Sequence, residues 1–185
     1  MLNKSKCKLR AMSEEDLSLV LAWRNAETIR TNMYNDHIIS MDEHRKWFTR
    51  VKGDPAYRLL IFEYQGTPIG FININQIDIK NNRCHWGFYL AESYAGHGYG
   101  LSLGYYGLNY VFIDLKIHKL CSEVFSFNHS SLKFHEKLGF FREGLFKAHI
   151  LKNGKYEDII CFAIFQDDWF KISTKIAEVC FEKEI

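Results

Sequence analysis

Tyr94-Ala95-Gly96-His97-Gly98-Tyr99-Gly100-Leu101 is the stretch on which the reading of this 185-residue chain turns. Residues 84–90 before it read as a strand. After it, Leu101, Tyr105, Leu108, Val111, Phe112 and Leu115 recur at the helical period. A glycine-rich loop between a strand and a helix can seat an anion. The first helical turn has unpaired N–H groups and a partial positive charge, and glycines let the backbone approach a diphosphate closely. A tight structural turn is the plain alternative. No Gly-Lys-Ser/Thr follows, which argues against a triphosphate loop. A dinucleotide fold wants the loop after its first strand with an acidic residue about 20 positions on, and neither Asp114 nor Glu123 fits that place. A diphosphate cofactor entering in mid-domain fits coenzyme A better.

Working outward, Cys7–Ala11 reads as a short strand. Ser13 caps a helix with Glu14, Glu15 and Asp16 in its first turn and Leu17, Val20, Leu21 and Arg24 at helical spacing. Met41–Val51 is a second helix, its Ser40 and Glu43 placed for a capping box. Residues 57–64 and 68–76 form a hairpin about Gln65-Gly66, and Asn81-Asn82 turns the chain into strand 84–90. Beyond the glycine loop come a strand at 120–125, a helix at 131–138 closed by Gly139, and a hairpin of 143–151 with 156–165 about Asn153-Gly154. With no linker or repeat, this order predicts one α+β domain over residues 1–185 with a mixed sheet.

Composition narrows the function. With 24 basic and 22 acidic residues, net +2, bulk nucleic-acid binding and a polybasic membrane patch are not expected. Five scattered cysteines without Cys-x-x-Cys spacing read as reduced thiols of a cytoplasmic protein, and no metal site is expected. No signal peptide or membrane span is visible.

A second motif follows: Asn128-His129-Ser130-Ser131-Leu132-Lys133-Phe134-His135-Glu136-Lys137-Leu138-Gly139-Phe140. It resembles the Asn-x-x-Ala/Ser-x-x-x-Tyr-x-Lys-x-Gly-Phe signature of the GNAT acetyltransferases. The glycine loop is similar to that family's Gln/Arg-x-x-Gly-x-Gly/Ala, mapped here as Ala95-x-x-Gly98-x-Gly100. Ala95 departs from the pattern and offers no side chain to a phosphate. Both motifs stand in the family's order, and the resemblance spans about residues 6–165. It implies a mostly antiparallel, twisted sheet of about seven strands, flanked by helices and splayed at the cofactor site. It also implies acetyl-CoA as co-substrate, direct attack by an amine in a ternary complex, and a possible homodimer.

By the same resemblance, Ala95, Gly96, His97, Gly98, Tyr99, Gly100 and Leu101 would hold the diphosphate. Tyr89 and Leu90 would contact the cofactor through their backbone, with Asn128 and Ser131 at its pantetheine end. Gly87 within that strand fits a bulge. The family's thiolate-protonating Tyr falls on His135, whose ordinary pKa suits the task. A core histidine bonded to a carbonyl is the alternative, with Tyr89, Tyr105 or Tyr106 taking the role. Glu123, a carboxylate beside apolar Val124 and Phe125, is the expected general base, with an outward-facing strand residue as the alternative and His85 as the weaker candidate.

For the acceptor, Leu21-Ala22-Trp23-Arg24-Asn25, Met33-Tyr34 and His44-Arg45-Lys46-Trp47-Phe48 resemble the branch of the family that acts in pseudaminic acid biosynthesis. That branch acetylates a UDP-linked 4-amino-4,6-dideoxy sugar. The resemblance sets Arg24 and His44 on the diphosphate. Met33, Tyr34 and Trp47 would line the nucleotide and sugar pocket, completed by Tyr89 and Phe125. An Arg fork suits phosphate oxygens and flat rings suit uracil. The alternative makes Trp23 and Trp47 core aromatics and Arg24 a surface ion-pair partner. RimJ-like protein N-terminal acetyltransferases share much of the pattern. A module that binds coenzyme A without catalysis is a third reading, motivated by Ala95 and His135.

Overall fold

The computed structural model describes residues 1–95 and 98–182. In chain order the elements are β1 (Cys7–Ala11), α1 (Leu17–Asn25), a short α2 (Glu27–Arg30), α3 (Met41–Val51), β2 (Arg58–Tyr64), β3 (Thr67–Asp78), β4 (Arg83–Leu90), α4 (Tyr99–Asn109), β5 (Lys119–Phe125), α5 (His129–Lys137), β6 (Phe141–Lys152), β7 (Lys155–Phe165) and α6 (Gln166–Cys180). The seven strands form one sheet in the order β1-β2-β3-β4-β5-β7-β6. Among the described residues every pairing is antiparallel except β4 with β5.

Local chemistry sets the boundaries. Ser40 and Glu43 bond each other's backbone N–H, at 3.2 and 2.8 Å, and start α3. Ser13 opens a short turn into α1 by donating its N–H to Asp16, whose carboxylate is forked by Arg10 at 2.7 Å twice. The β6–β7 hairpin turns on Asn153 and Gly154, both at positive φ, as a two-residue turn requires. Gly139 ends α5 at φ +85°, a left-handed conformation that favours glycine.

Alternation gives the sheet two apolar faces. One carries Phe62, Ile72, Ile74, Trp86 and Leu120 against Leu103 and Leu108 of α4, Leu132 of α5 and Trp169 of α6. The other carries Ile61 and Phe71 against Val20 and Trp23 of α1 and Phe48 of α3. Helix α6 lies beyond the last element expected from sequence. Its Trp169 is fully buried in the same core as the sheet residues and donates to Asn109 Oδ1 of α4 at 2.9 Å, so α6 packs beside α4. The helix begins at Phe165 without a capping side chain, although Trp169, Ile172, Ile176 and Cys180 recur at helical spacing.

Candidate active site

Strands β4 and β5 pair over only three positions, Arg83–Lys119, Cys84–Leu120 and His85–Cys121. From Trp86 onward β4 keeps its partner β3 but has no strand on the other edge. The backbone groups on that edge want partners, because a main-chain N–H or C=O left unpaired away from water is costly. A cleft of about 620 Å³ fills the gap, lined by residues 86–90 of β4, 122–125 of β5 and residues of α5. The gap comes from divergence of the two strands: β4 runs in regular register from Asn73–Gly87 to Gly70–Leu90, so the expected bulge at Gly87 is absent.

Helix α4 opens at the end of this cleft. Gly98 stands at its N-cap with φ +83° and no side-chain cap, and the first turn carries no acidic residue, so the amides of that turn are uncompensated, and Gly100 within it lines the cleft. Ala95, Gly100, Leu90, Tyr89, Asn128 and Ser131 all line the cleft. The side chains of Tyr99 and Leu101 turn instead into the apolar cluster, leaving only their backbone for the cleft. Asn128 Oδ1 accepts from Ser131 N at 3.1 Å and caps α5, so only its amide NH₂ is left for a ligand. Gly96 and His97 lie outside the described residues.

A second cleft, of about 700 Å³, opens on the α1–α3 side and shares Met33, Gly87, Phe88 and Tyr89 with the first. Arg24 and His44 do converge there from two helices, beside Trp47, which stacks on His44 at a centroid distance of 5.0 Å. Trp23 is a core residue. Three buried polar atoms in this cleft have no protein partner: Arg24 Nη1, His44 Nε2 and Asn73 Oδ1. Burial and the Arg24 charge hold His44 below its usual pKa, and so neutral. The other charged lining groups are Lys46, Arg50 and Glu43, so with Arg24 the cleft is cationic.

The segment between α2 and α3 walls both clefts and is pinned at two places. Asn25 of α1 makes paired bonds to Ile39, at 2.8 and 2.9 Å. Lys152, at the end of β6, donates to Met33 O at 3.0 Å and Asp36 Oδ2 at 2.6 Å with its ammonium near the Phe125 ring. Tyr34 reaches from this segment to β5, where its hydroxyl donates to Glu123 Oε2 at 2.5 Å and its ring meets the edge of Phe125. Burial, and then that bond, push the phenol pKa up, so Tyr34 stays a donor to the carboxylate.

Residues 6–141 match the model of the acetyltransferase (GNAT) domain family. The chain belongs to that family. As a GNAT acetyltransferase it is 32% identical over 164 residues to an SPbeta prophage-derived uncharacterized N-acetyltransferase, YokL, of Bacillus subtilis (strain 168), covering 87% of this chain and 90% of that one. It is 25% identical to spermidine N(1)-acetyltransferase of Vibrio cholerae over 91% of this chain and 98% of that protein. A crystal structure of that Vibrio enzyme with CoA and spermine superposes with a TM-score of 0.85 over 90% of this chain and 99% of that one, at 24% identity, which speaks to the fold. Acetyltransferase PseH of Campylobacter jejuni is 26% identical over 68% of this chain and 77% of that one.

Within this GNAT site, His135 lines the cleft and both of its ring nitrogens have partners. The ring is 1% exposed. Its Nδ1 lies 2.8 Å from Ser131 O, which can only accept, so the proton sits on Nδ1. Nε2 is then a lone pair, and Trp86 Nε1–H, a donor only, points at it from 3.3 Å. Burial lowers the pKa to about 4. The one ring proton is held by Ser131 O, which favours the core-histidine alternative over the thiolate-protonating role. His135 reads as the core histidine that orients Trp86 in the cleft wall. The alternates Tyr105 and Tyr106 pack against Phe181 and are not among the cleft's lining groups. Glu123 does line the cleft. His85 is part-buried on β4 and lines a separate small cleft with Asp78 and Arg83.

Sequence reading passed over Asn73, Arg50 and Lys152. Asn73 carried a signal, because Ile72-Asn73-Ile74-Asn75 alternates strictly and puts amides on a face shared with Phe71. For the described residues, no helix is long and apolar enough to cross a membrane, and no cluster of three or more His, Cys, Asp or Glu is placed to hold a metal.

Proposed function

We propose that this enzyme moves the acetyl group of acetyl-CoA onto the 4-amino group of a UDP-linked amino-deoxy sugar of the kind used in pseudaminic acid biosynthesis. The observation that carries the reading is the trio Arg24 Nη1, His44 Nε2 and Asn73 Oδ1, all buried without protein partners in one cationic cleft. A buried polar group left unbonded costs about 1–3 kcal/mol, and more when charged, so three in one place fit a ligand that bonds them. A diphosphate satisfies the guanidinium and the imidazole, and Trp47 offers a flat face to a base.

Acetyl-CoA fits the other cleft. Its diphosphate meets the uncapped amides of α4 at Gly98–Leu101, where the backbone makes up for Ala95. Its amide-bearing arm runs along the free edge of β4 from Trp86 to Leu90, held at that end by Asn128 and Ser131. The thioester then lies where the two clefts share Gly87–Tyr89, open to direct attack from the acceptor side. Glu123 takes the amine's proton, and Tyr34 holds the other carboxylate oxygen. The site residues therefore divide into donor and acceptor sets, the latter being Arg24, Met33, Tyr34, His44, Trp47 and Phe125.

The similarity to spermidine N(1)-acetyltransferase favours a second reading, a polyamine acceptor. The cationic lining opposes it, since Arg24, Lys46 and Arg50 repel a polycation while Glu43 is the one acidic residue lining that cleft, with Glu123 reaching only the amine to be acetylated. A peptide amino terminus meets the same repulsion. Thiol release should be followed with acetyl-CoA and UDP-4-amino-4,6-dideoxy-N-acetyl-β-L-altrosamine, spermidine or a peptide as acceptor. Turnover of the sugar with the others at background is expected. Acetylation of spermidine or the peptide with none of the sugar would reject the assignment.

A further inference from the structure

Asn73, Gly87 and Glu123 stand in one row across the sheet at the point where it opens. Asn73 is the register partner of Gly87. Gly87 and Glu123 each lie two residues past the last β4–β5 pair, His85–Cys121, so both project to the face that bears Asn73. Gly87 lines both clefts. It does not serve the fold: its φ is not in the left-handed region, and a Cβ built there meets nothing within 4 Å. A glycine in a strand costs about 0.5–1 kcal/mol relative to alanine, and here that cost secures open space beside a reactive edge. Asn73 Oδ1, on one side of this notch, is buried and accepts no protein hydrogen bond. Glu123, on the other side, has one oxygen committed to Tyr34.

We propose that this row is the seat of the acceptor's attacking amine, and that Asn73 is a further substrate-binding residue of the reaction. The proposal rests on acetyl transfer, and on the reading above only for the choice of acceptor. An amine over Gly87 donates one N–H to Asn73 Oδ1 and gives one proton to the Glu123 carboxylate. Its lone pair is thereby aimed across β4 at the thioester. The N–C bond forms, the C–S bond breaks with its electron pair on sulfur, and the nitrogen, which entered as an ammonium, sheds its second surplus proton to solvent as the amide forms. A thiol of ordinary pKa near 8.5 leaves readily as a thiolate, so water protonates it on release and Glu123 returns its proton to solvent. No buried acid is needed, in keeping with the engaged His135.

Asn73→Leu and Gly87→Val test this, read as kcat/KM for whichever amine the unaltered enzyme acetylates among the UDP-amino sugar, spermidine and a peptide. Asn73→Leu should lower it at least tenfold while the KM for acetyl-CoA stays within twofold. Gly87→Val, which fills the notch, should lower it more than a hundredfold with thermal unfolding little changed, the check that the variant folds. Values within twofold for either folded variant would overturn the seat, as would absence of turnover with every amine. If spermidine or the peptide is taken instead of the sugar, the nucleotide reading falls and the same two variants still decide the seat.

Discussion

At the scale of single residues, burial has different consequences at His135 and at Arg24. His135 is neutral in the fold because burial lowers its pKa to about 4. An unfolded chain takes up that proton near the ordinary value of about 6.5. The folded form is therefore favoured above pH ~6.5 and loses this advantage as pH falls toward 4, at about 1.4 kcal/mol per pH unit and up to ~3 kcal/mol. Urea midpoints at pH 7.5 and 5 should show the loss, and His135→Phe should show a shallower slope. That variant also strands the Trp86 N–H, a cost of about 1–3 kcal/mol, yet its kcat should stay within tenfold. A hundredfold fall in the folded variant would give His135 back the proton-donor role. Arg24 is the opposite case, since its Nη1 is buried without a protein partner although its Nη2 donates to Asn35 O. Arg24→Ala should raise the KM for a diphosphate acceptor roughly ten- to a hundredfold, about 1.4–2.7 kcal/mol, with kcat nearly unchanged, because that contact is the same in ground and transition states.

At the scale of elements, the acceptor wall is held from the far end of the chain. Lys152, its side chain 7% exposed, pins the segment bearing Met33 and Tyr34. Lys152→Met should free that segment, raising the acceptor KM several-fold and speeding amide exchange over residues 31–39, with the KM for acetyl-CoA unchanged. Unaltered exchange there would show that Asn25 and its bonds to Ile39 suffice. No pattern in the sequence reveals this link, because 116 residues separate Lys152 from Asp36. What the sequence does show is local. The Ser40–Glu43 box, the turns at Gln65-Gly66 and Asn153-Gly154, and the glycine ending α5 each need only neighbours along the chain, and each forms as read. Helix α6 escaped because its apolar stripe starts directly from a strand without a cap. The pairing of Arg24 with His44 came from the family resemblance, and the helix that carries each was legible from its own local pattern. The engagement of His135 was not, since it depends on Trp86, 49 residues away.

At the scale of the whole molecule, an interrupted sheet leaves stabilisation for the substrate to supply. Acetyl-CoA at a hundred times its Kd should add about 2.7 kcal/mol. That is roughly 5–10 °C in Tm for a chain of this size, and a melting scan that shows no rise would count against binding along β4. A second scan with UDP tests the acceptor side independently. Both clefts border Gly87–Tyr89, so on the proposed reading donor and acceptor reside on the protein together. Initial-velocity plots at varied concentrations of each should therefore intersect, whereas parallel lines would mean that an acetylated enzyme forms first. The strand common to both clefts has one more effect. A conjugate with an acceptor analogue joined to the coenzyme sulfur by a short tether would occupy both sides of β4 at once, and each half would hold the other at high local concentration. Such a molecule should inhibit about 10²–10⁴ times more strongly than either half alone, and its tether would have to cross at glycine.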